Sequence, residues 1–305
     1  MIILQKILIL VAMIMLGYIA YKNDMLNDEA VKKLSSIVVN IANPALIVSS
    51  VLDSSINDIS NKKILLVTAI SLVMYTALIL IAWIVAMILP VKKEHKGMYQ
   101  AMMVFSNVGF MGFPLLKSIY GNESLIYASI IVTFYNILIY TYGVYIMGKS
   151  ESVGKFRVRN ILNNGVIACL VMMFILLSKV HIPGMLTEII TYVSGMVVPA
   201  SMMIIGASLA TIKLKELFSD KWLIIFSIIR MILIPFIGYV IASQFIRDEM
   251  LLGIIVTMLA VPVGSLVAML AQEYDRDVLL ASKGIALTTI LSVVTIPLVF
   301  GVIGL

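Results

Sequence analysis

The sequence predicts an all-α integral membrane protein: ten transmembrane helices in two inverted five-helix repeats, with helices 4 and 9 broken where they cross. Three observations carry this reading. The 305 residues are 62% hydrophobic and 12% charged, whereas a soluble domain is about half apolar and about a quarter charged. The apolar residues fall in ten runs, each near the roughly 20 residues that a bilayer span needs. Two of those runs are interrupted by Gly and Pro at matching places in the two halves of the chain.

The expected spans, in order, are 2–21, 34–52, 64–89, 98–118, 124–147, 161–178, 186–212, 222–245, 249–271 and 278–304. The first is long enough to cross and has no small-residue cleavage pattern, so it reads as a helix and not as a signal peptide. The longest connection, 148–160, is basic and polar, and it divides the chain into repeats 1–147 and 161–305. Loops after the odd-numbered spans hold fifteen Lys and Arg residues, and those on the other side hold six. The positive-inside rule then makes 148–160 a cytoplasmic linker and both termini extracytoplasmic. The same placement accounts for the net charge of +6 without nucleic acid, because the basic residues sit in short loops between apolar spans. A single cysteine, Cys169, excludes an internal disulfide. The 21 Met residues are spread over the spans and read as packing.

Five spans per half is odd, so the second half enters the membrane with opposite orientation. The halves also match in sequence. Span 2 carries Asn43-Pro44-Ala45 and span 7 carries Val198-Pro199-Ala200. Span 4 is followed by Tyr120 and Ala128-Ser129, and span 9 by Tyr274 and Ala281-Ser282. The prolines of spans 2 and 7 are 155 residues apart, and Pro114 and Pro262 are 148 apart. This is the trace expected of an inverted-topology repeat.

The two breaks are Asn107-Val108-Gly109-Phe110-Met111-Gly112-Phe113-Pro114 and Ala260-Val261-Pro262-Val263-Gly264-Ser265. Pro lacks an N–H and Gly lacks a Cβ, so both interrupt helices. In hydrocarbon each unpaired backbone group costs several kcal/mol, so a break persists only where it is buried in protein or lines a cavity. Paired breaks in the two halves of a membrane chain point to a transporter's binding site. The second half-helices are expected to start after Pro114 and near Gly264-Ser265. Each helix N-terminus carries about +0.5 charge and free N–H groups, which together suit an anion. Asn107, Gly109, Gly112, Pro114, Pro262, Gly264 and Ser265 are therefore the candidate binding residues, with Ser265 placed to cap its half-helix. Pro44, Pro199, Pro114 and Pro262 are the candidate crossover and hinge positions.

Two readings stand for Asn107: its amide donates to a carboxylate, or it caps the freed backbone of its own helix. Asn43 and Ser201, beside the prolines of spans 2 and 7, are further binding candidates. Arg230 lies about nine residues into span 8, too deep to reach the interface with ease. An ionisable group there is costly and faces a cavity or a partner. It either attracts a substrate anion or ties backbone carbonyls at a helix break, with Pro235 one turn later.

Absences narrow the function. Asp53, Glu123, Glu188, Glu249, Glu273 and Asp275 all lie at span ends, and no carboxylate sits in the middle of a span. Proton- and sodium-driven carriers usually place one at depth, so tight ion coupling is disfavoured. His95 and His181 lie in loops. No Gly-Lys-Ser/Thr phosphate loop is present, which argues against an ATP-driven pump. No Ser-His-Asp set or metal cluster occurs within the spans, so no enzyme, metal or cofactor is expected.

The run Asn107-Val-Gly-Phe-Met-Gly-Phe-Pro-Leu-Leu-Lys-Ser-Ile-Tyr-Gly121 closely resembles span 4 of the auxin efflux carrier family, which includes plant PIN carriers and bacterial organic-acid permeases. Ala260-Val-Pro-Val-Gly-Ser265 with Ala271-Gln-Glu-Tyr-Asp275 is similar to its ninth span, and Asn40-Ile-Ala-Asn-Pro-Ala-Leu46 to its second. The resemblance covers the whole chain. It implies a bile-acid-symporter-like fold of elevator type, with a scaffold of spans 1, 2, 6 and 7, a transport domain of spans 3–5 and 8–10, and a homodimer in the plasma membrane. It also implies that Asn107, Pro114 and Pro262 border a substrate carboxylate. Two features depart from the plant members. The 148–160 linker is short, so phosphorylation control there is not expected. Val263 stands where plant carriers tend to have a polar residue, so the substrate need not be auxin.

The expected function is secondary transport of small organic anions, auxin-like and malate-like carboxylates among them. A potential of about −100 mV inside favours exit of a monoanion by about 2.3 kcal/mol, so efflux or exchange is preferred. The alternatives are a proton- or sodium-coupled uptake permease for a dicarboxylate or amino acid, and a membrane sensor or channel.

Overall fold

The computed structural model describes residues 2–52, 61–148, 164–178, 180, 182–211, 217–218 and 220–303. The expected linker 148–160, apart from Gly148, lies outside the described residues, as do Asp53, Lys179, His181, Lys213 and Lys215. Among the described residues the structure is helical, and its one β-bridge is isolated. The elements are α1 (Ile2–Lys22), α2 (Asp28–Ile37), α3 (Asn43–Ser49), α4 (Asn61–Ile88), α5 (Lys96–Val104), α6 (Phe113–Tyr120), α7 (Asn122–Leu138) and α8 (Val144–Met147) in the first half. The second half holds α9 (Asn164–Ser178), α10 (Gly184–Gly195), α11 (Val197–Ala210), α12 (Lys221–Ile228), α13 (Ile234–Phe245), α14 (Glu249–Ala260), α15 (Leu266–Glu273) and α16 (Val278–Ile303).

Among the described residues, six helical stretches are long and apolar enough to cross a membrane: Asp28–Ser49, Lys62–Ile88, Asn122–Met147, Gly184–Ala210, Lys221–Phe245 and Val278–Gly301. Leu8–Lys22, Asn164–Ser178 and Glu249–Ala260 are apolar but shorter. Polar side chains start several helices. Asn27, Asp220, Asp248 and Asp277 each accept from a backbone N–H two or three residues on, which satisfies donors that have no partner inside the helix. Within the helices, hydroxyls such as those of Thr76, Ser129, Thr257 and Thr289 donate back to a carbonyl four residues earlier. That is the available partner where water is excluded.

Three prolines sit in one local geometry. Five-residue π-turns at Val38–Ala42, Val108–Gly112 and Ile229–Leu233 each end two residues before a proline: Pro44, Pro114 and Pro235. A proline in a regular helix loses one hydrogen bond and clashes with the carbonyl four residues back. Widening the preceding turn makes room, so the helix continues past the proline. Pro199 solves the same problem differently. The helix is interrupted at Met196, and Pro199 falls in the first turn of α11, where N–H groups have no intrahelical partner in any case.

The chain forms two compact units: residues 1–68, 109–133 and 161–211 make unit 1, and residues 69–108, 134–160 and 212–305 make unit 2. In unit 1, α1 lies against α11, and α3 lies against α9 and α10. A Cβ on Gly206 would strike the Ile14 carbonyl, and one on Gly17 would strike the Met203 backbone. Only glycine permits this approach of two helix backbones, the small-residue packing typical of apolar bundles. In unit 2, α16 is packed by α5, α12, α14 and α15, and Tyr99 meets Phe226 edge to face, with ring centroids 5.2 Å apart.

Candidate functional site

The two expected breaks are real interruptions, and unit 2 contains both extended stretches. α5 ends at Val104 and the backbone extends at Phe105. α14 ends at Ala260 and the backbone extends at Val261. The stretches run antiparallel and pair at Ser106 and Val263. The Asn107 N–H donates to the Pro262 carbonyl at 2.7 Å, and the Gly264 N–H donates to the Phe105 carbonyl at 2.9 Å. The Val263 N–H, facing away from this ladder, donates to the Thr288 hydroxyl of α16 at 3.1 Å. Thr288 donates in turn to the Gly284 carbonyl at 2.7 Å. Each break thus supplies partners for the other, which is the condition for non-helical backbone at membrane depth.

Glycine at 264 is a steric requirement, because a Cβ there would lie 2.7 Å from the Ser106 carbonyl oxygen. Phe105 packs edge to face on Tyr135, with centroids 5.6 Å apart. Ser265 takes the N-cap position of α15 without a side-chain cap bond. Its backbone is already helical (φ −60°, ψ −24°), whereas capping by a serine hydroxyl needs an extended conformation. The expected cap is therefore not made, and the Ser265 hydroxyl is not committed to it.

Arg230 is completely buried in the π-turn before α13. Its guanidinium donates to the carbonyl of Leu259, to the hydroxyl of Ser106, and at 3.5 Å to the carbonyl of Val261. These bonds are the tie to carbonyls at a helix break, and the break is that of α14, not the arginine's own. Nε has no hydrogen-bond partner among the described residues.

The other sequence candidates fall on unit 1. Gly112 occupies the N-cap position of α6 and Pro114 its first turn. The helix is already re-forming at Val108, ahead of the expected start after Pro114, because the π-turn accommodates the proline. Pro44 is in the first turn of α3. The Asn43 Nδ2 lies 3.2 Å from where a Gly109 Cβ would stand. Asn43 and Ser201 are buried, and neither Asn43 Oδ1 nor Ser201 Oγ has a hydrogen-bond partner among the described residues. In unit 2 the structure brings together Asn107, Pro262, Gly264, Ser265 and Arg230. Sequence reasoning did not identify Ser106, Thr288 or Tyr135. A hydroxyl in an apolar span most often bonds its own helix, so nothing in the sequence distinguishes Thr288 from Thr289. Among the described residues no group of three His, Cys, Asp or Glu could hold a metal ion.

A chain of long apolar helices, with a fully buried arginine and two interrupted helices knitted together, has the features of a multi-pass membrane transporter. The sequence profile of the membrane transport protein family matches residues 2–156 and 149–300. The chain belongs to this family, the auxin efflux carriers that its span-4 motif resembles, and it is a transporter and not an enzyme. It is 27% identical over 302 residues to an uncharacterized transporter of Methanothermobacter thermautotrophicus, covering 96% of each chain. It is 25% identical over 308 residues to an uncharacterized transporter of Methanocaldococcus jannaschii, covering 98% of each.

Proposed function

We propose that this transporter is a secondary carrier for small organic anions, and that it binds the substrate carboxylate at the crossover of unit 2. The observation that carries the reading is the antiparallel bridge between residues 105–107 and 261–264. It holds a buried amide (Asn107), an uncapped serine (Ser265) and the start of α15 in one place. N–H groups at a helix start and a neutral amide donor suit a carboxylate. Pro262 and Gly264 shape this crossover, and within unit 1 Gly109, Gly112, Pro114, Asn43 and Ser201 are proposed as binding and hinge residues in their own right. The proposal includes an elevator-like mechanism, a scaffold of spans 1, 2, 6 and 7, ten spans in inverted repeats, a homodimer, and a plasma-membrane location with both termini outside. With no carboxylate at the middle of a span, efflux or exchange driven by membrane potential is the favoured mode.

Reconstitution in proteoliposomes tests this. Malate, malonate, succinate, lactate, indole-3-acetate and branched-chain amino acids would be assayed for uptake and counterflow, with imposed potential and with proton or sodium gradients. Saturable counterflow of an acid that follows potential alone is the expected result. Uptake that requires a proton or sodium gradient would replace the uncoupled reading with a coupled permease. A conductance without counterflow would replace the carrier with a channel.

A further inference from the structure

Helix ends set the local charge of the unit 2 crossover. α5 ends at Val104 and α14 at Ala260, and each C-terminus contributes about −0.5 charge. α15 begins at Leu266 and the helical turn that leads into α6 begins at Val108, and each N-terminus contributes about +0.5. The helix ends therefore roughly cancel, and backbone alone gives this crossover no preference for an anion. Arg230 adds the positive charge. Its guanidinium sits on the carbonyls of Leu259 and Val261, the end of α14. Among the described residues its hydrogen-bond partners are the Leu259 and Val261 carbonyls and the Ser106 hydroxyl, none of them a carboxylate. The buried Nε has no hydrogen-bond partner among the described residues. A buried charge without a counter-ion is held at a cost unless something else compensates it.

We propose that Arg230 is the residue that makes the crossover select anions: the carboxylate of the transported acid is its counter-charge, acting through the field without direct contact. Resting on the carrier reading above, this assigns Arg230 a role in specificity distinct from its tie to the backbone. It also accounts for an arginine on an otherwise apolar helix that has no acidic residue at depth to pair with.

The test cancels the charge while leaving the arginine and its bonds to the Leu259 and Val261 carbonyls in place. Ser106→Asp puts a carboxylate on the guanidinium, and Ser106→Asn adds the same bulk without charge. Binding of malate, malonate and indole-3-acetate, and of malamide, malonamide and indole-3-acetamide, would be measured by calorimetry on the purified full chain. The expected result is that the acid-to-amide affinity ratio falls at least tenfold from Ser106→Asn to Ser106→Asp. Arg230→Gln compared with Arg230→Lys should show the same fall, a second route to the answer if the Ser106 variants do not fold. Ratios equal within about twofold across either pair would overturn the role in selectivity and leave Arg230 purely structural. A wild-type protein that binds none of the acids has a different signature. It would overturn the organic-anion reading itself, and this inference with it.

Discussion

At the residue scale, the crossover depends on a few groups that each satisfy a specific backbone atom. Thr288 is the clearest case, since it accepts from Val263 and donates to its own helix. Thr288→Val keeps the shape and orphans the Val263 N–H, so we expect a loss of about 1–3 kcal/mol, the penalty for a buried unsatisfied donor. Thr288→Ser should retain most of the stability. Thermal unfolding of the purified protein would check both. Asn107 is 8% exposed and its backbone is already bonded to Pro262. If its amide contacts the carboxylate, Asn107→Ala should weaken acid binding about 10- to 100-fold, as expected for a hydrogen bond to a charged group worth about 1.5–3 kcal/mol. Unchanged affinity in a folded Asn107→Ala protein would remove this residue from the site. Both positions were unequally legible beforehand. An amide beside a Gly-rich break stands out in an apolar chain, whereas Thr288 looks like any hydroxyl that bonds its own helix.

At the scale of elements, glycine and proline have two distinct effects that the sequence does not separate. Pro262 and Gly264 mark a true extended interruption. Pro44, Pro114 and Pro235 follow a widened turn and leave the helix running. The difference lies in what surrounds the backbone: residues 261–264 find partners on 105–107 and Thr288, while the π-turns satisfy themselves. The pairing of α1 with α11 was not anticipated, because Gly17 and Gly206 lie in different halves and only the fold shows that each meets the other's helix. Gly206→Ala would place a methyl on the Ile14 carbonyl, and backbone cannot rotate away as a side chain can. We expect overpacking to cost about 1–3 kcal/mol, and hydrogen exchange should rise in α1 and α11 relative to α16.

At the scale of the whole molecule, the outer surface is apolar where that of a soluble protein is polar. Leu65, Leu72, Val73, Trp83, Ile88, Phe174, Tyr192 and Phe245 are exposed, whereas Ser71, Asn136, Arg230, Thr257 and Thr288 are buried. This follows when the surrounding solvent is hydrocarbon, because outward apolar side chains then cost nothing and polar groups must find protein partners. The charge bias of the loops adds a topology, which is testable because the sequence has one cysteine and it is buried. In a Cys169→Ser background, a membrane-impermeant thiol reagent applied to intact cells should label Glu123→Cys and leave Asn23→Cys unlabelled. The reverse pattern would invert the expected orientation and with it the direction in which membrane potential drives an anion.

The sequence by itself determined the class of protein, the position of each apolar run, the two runs in which a helix breaks and the family. These are properties of composition and local backbone chemistry: hydrophobic run length, the missing N–H of proline and the missing Cβ of glycine act wherever the chain goes. Only the tertiary structure decided which backbone atoms the breaks pair with, that Ser265 does not cap its helix, and that Arg230 neutralises the end of α14 and not a break in its own helix. The pairings depend on groups that are distant in sequence, 124 residues apart for Arg230 and Ser106. Such pairings are fixed by how the helices pack, and no local pattern encodes them.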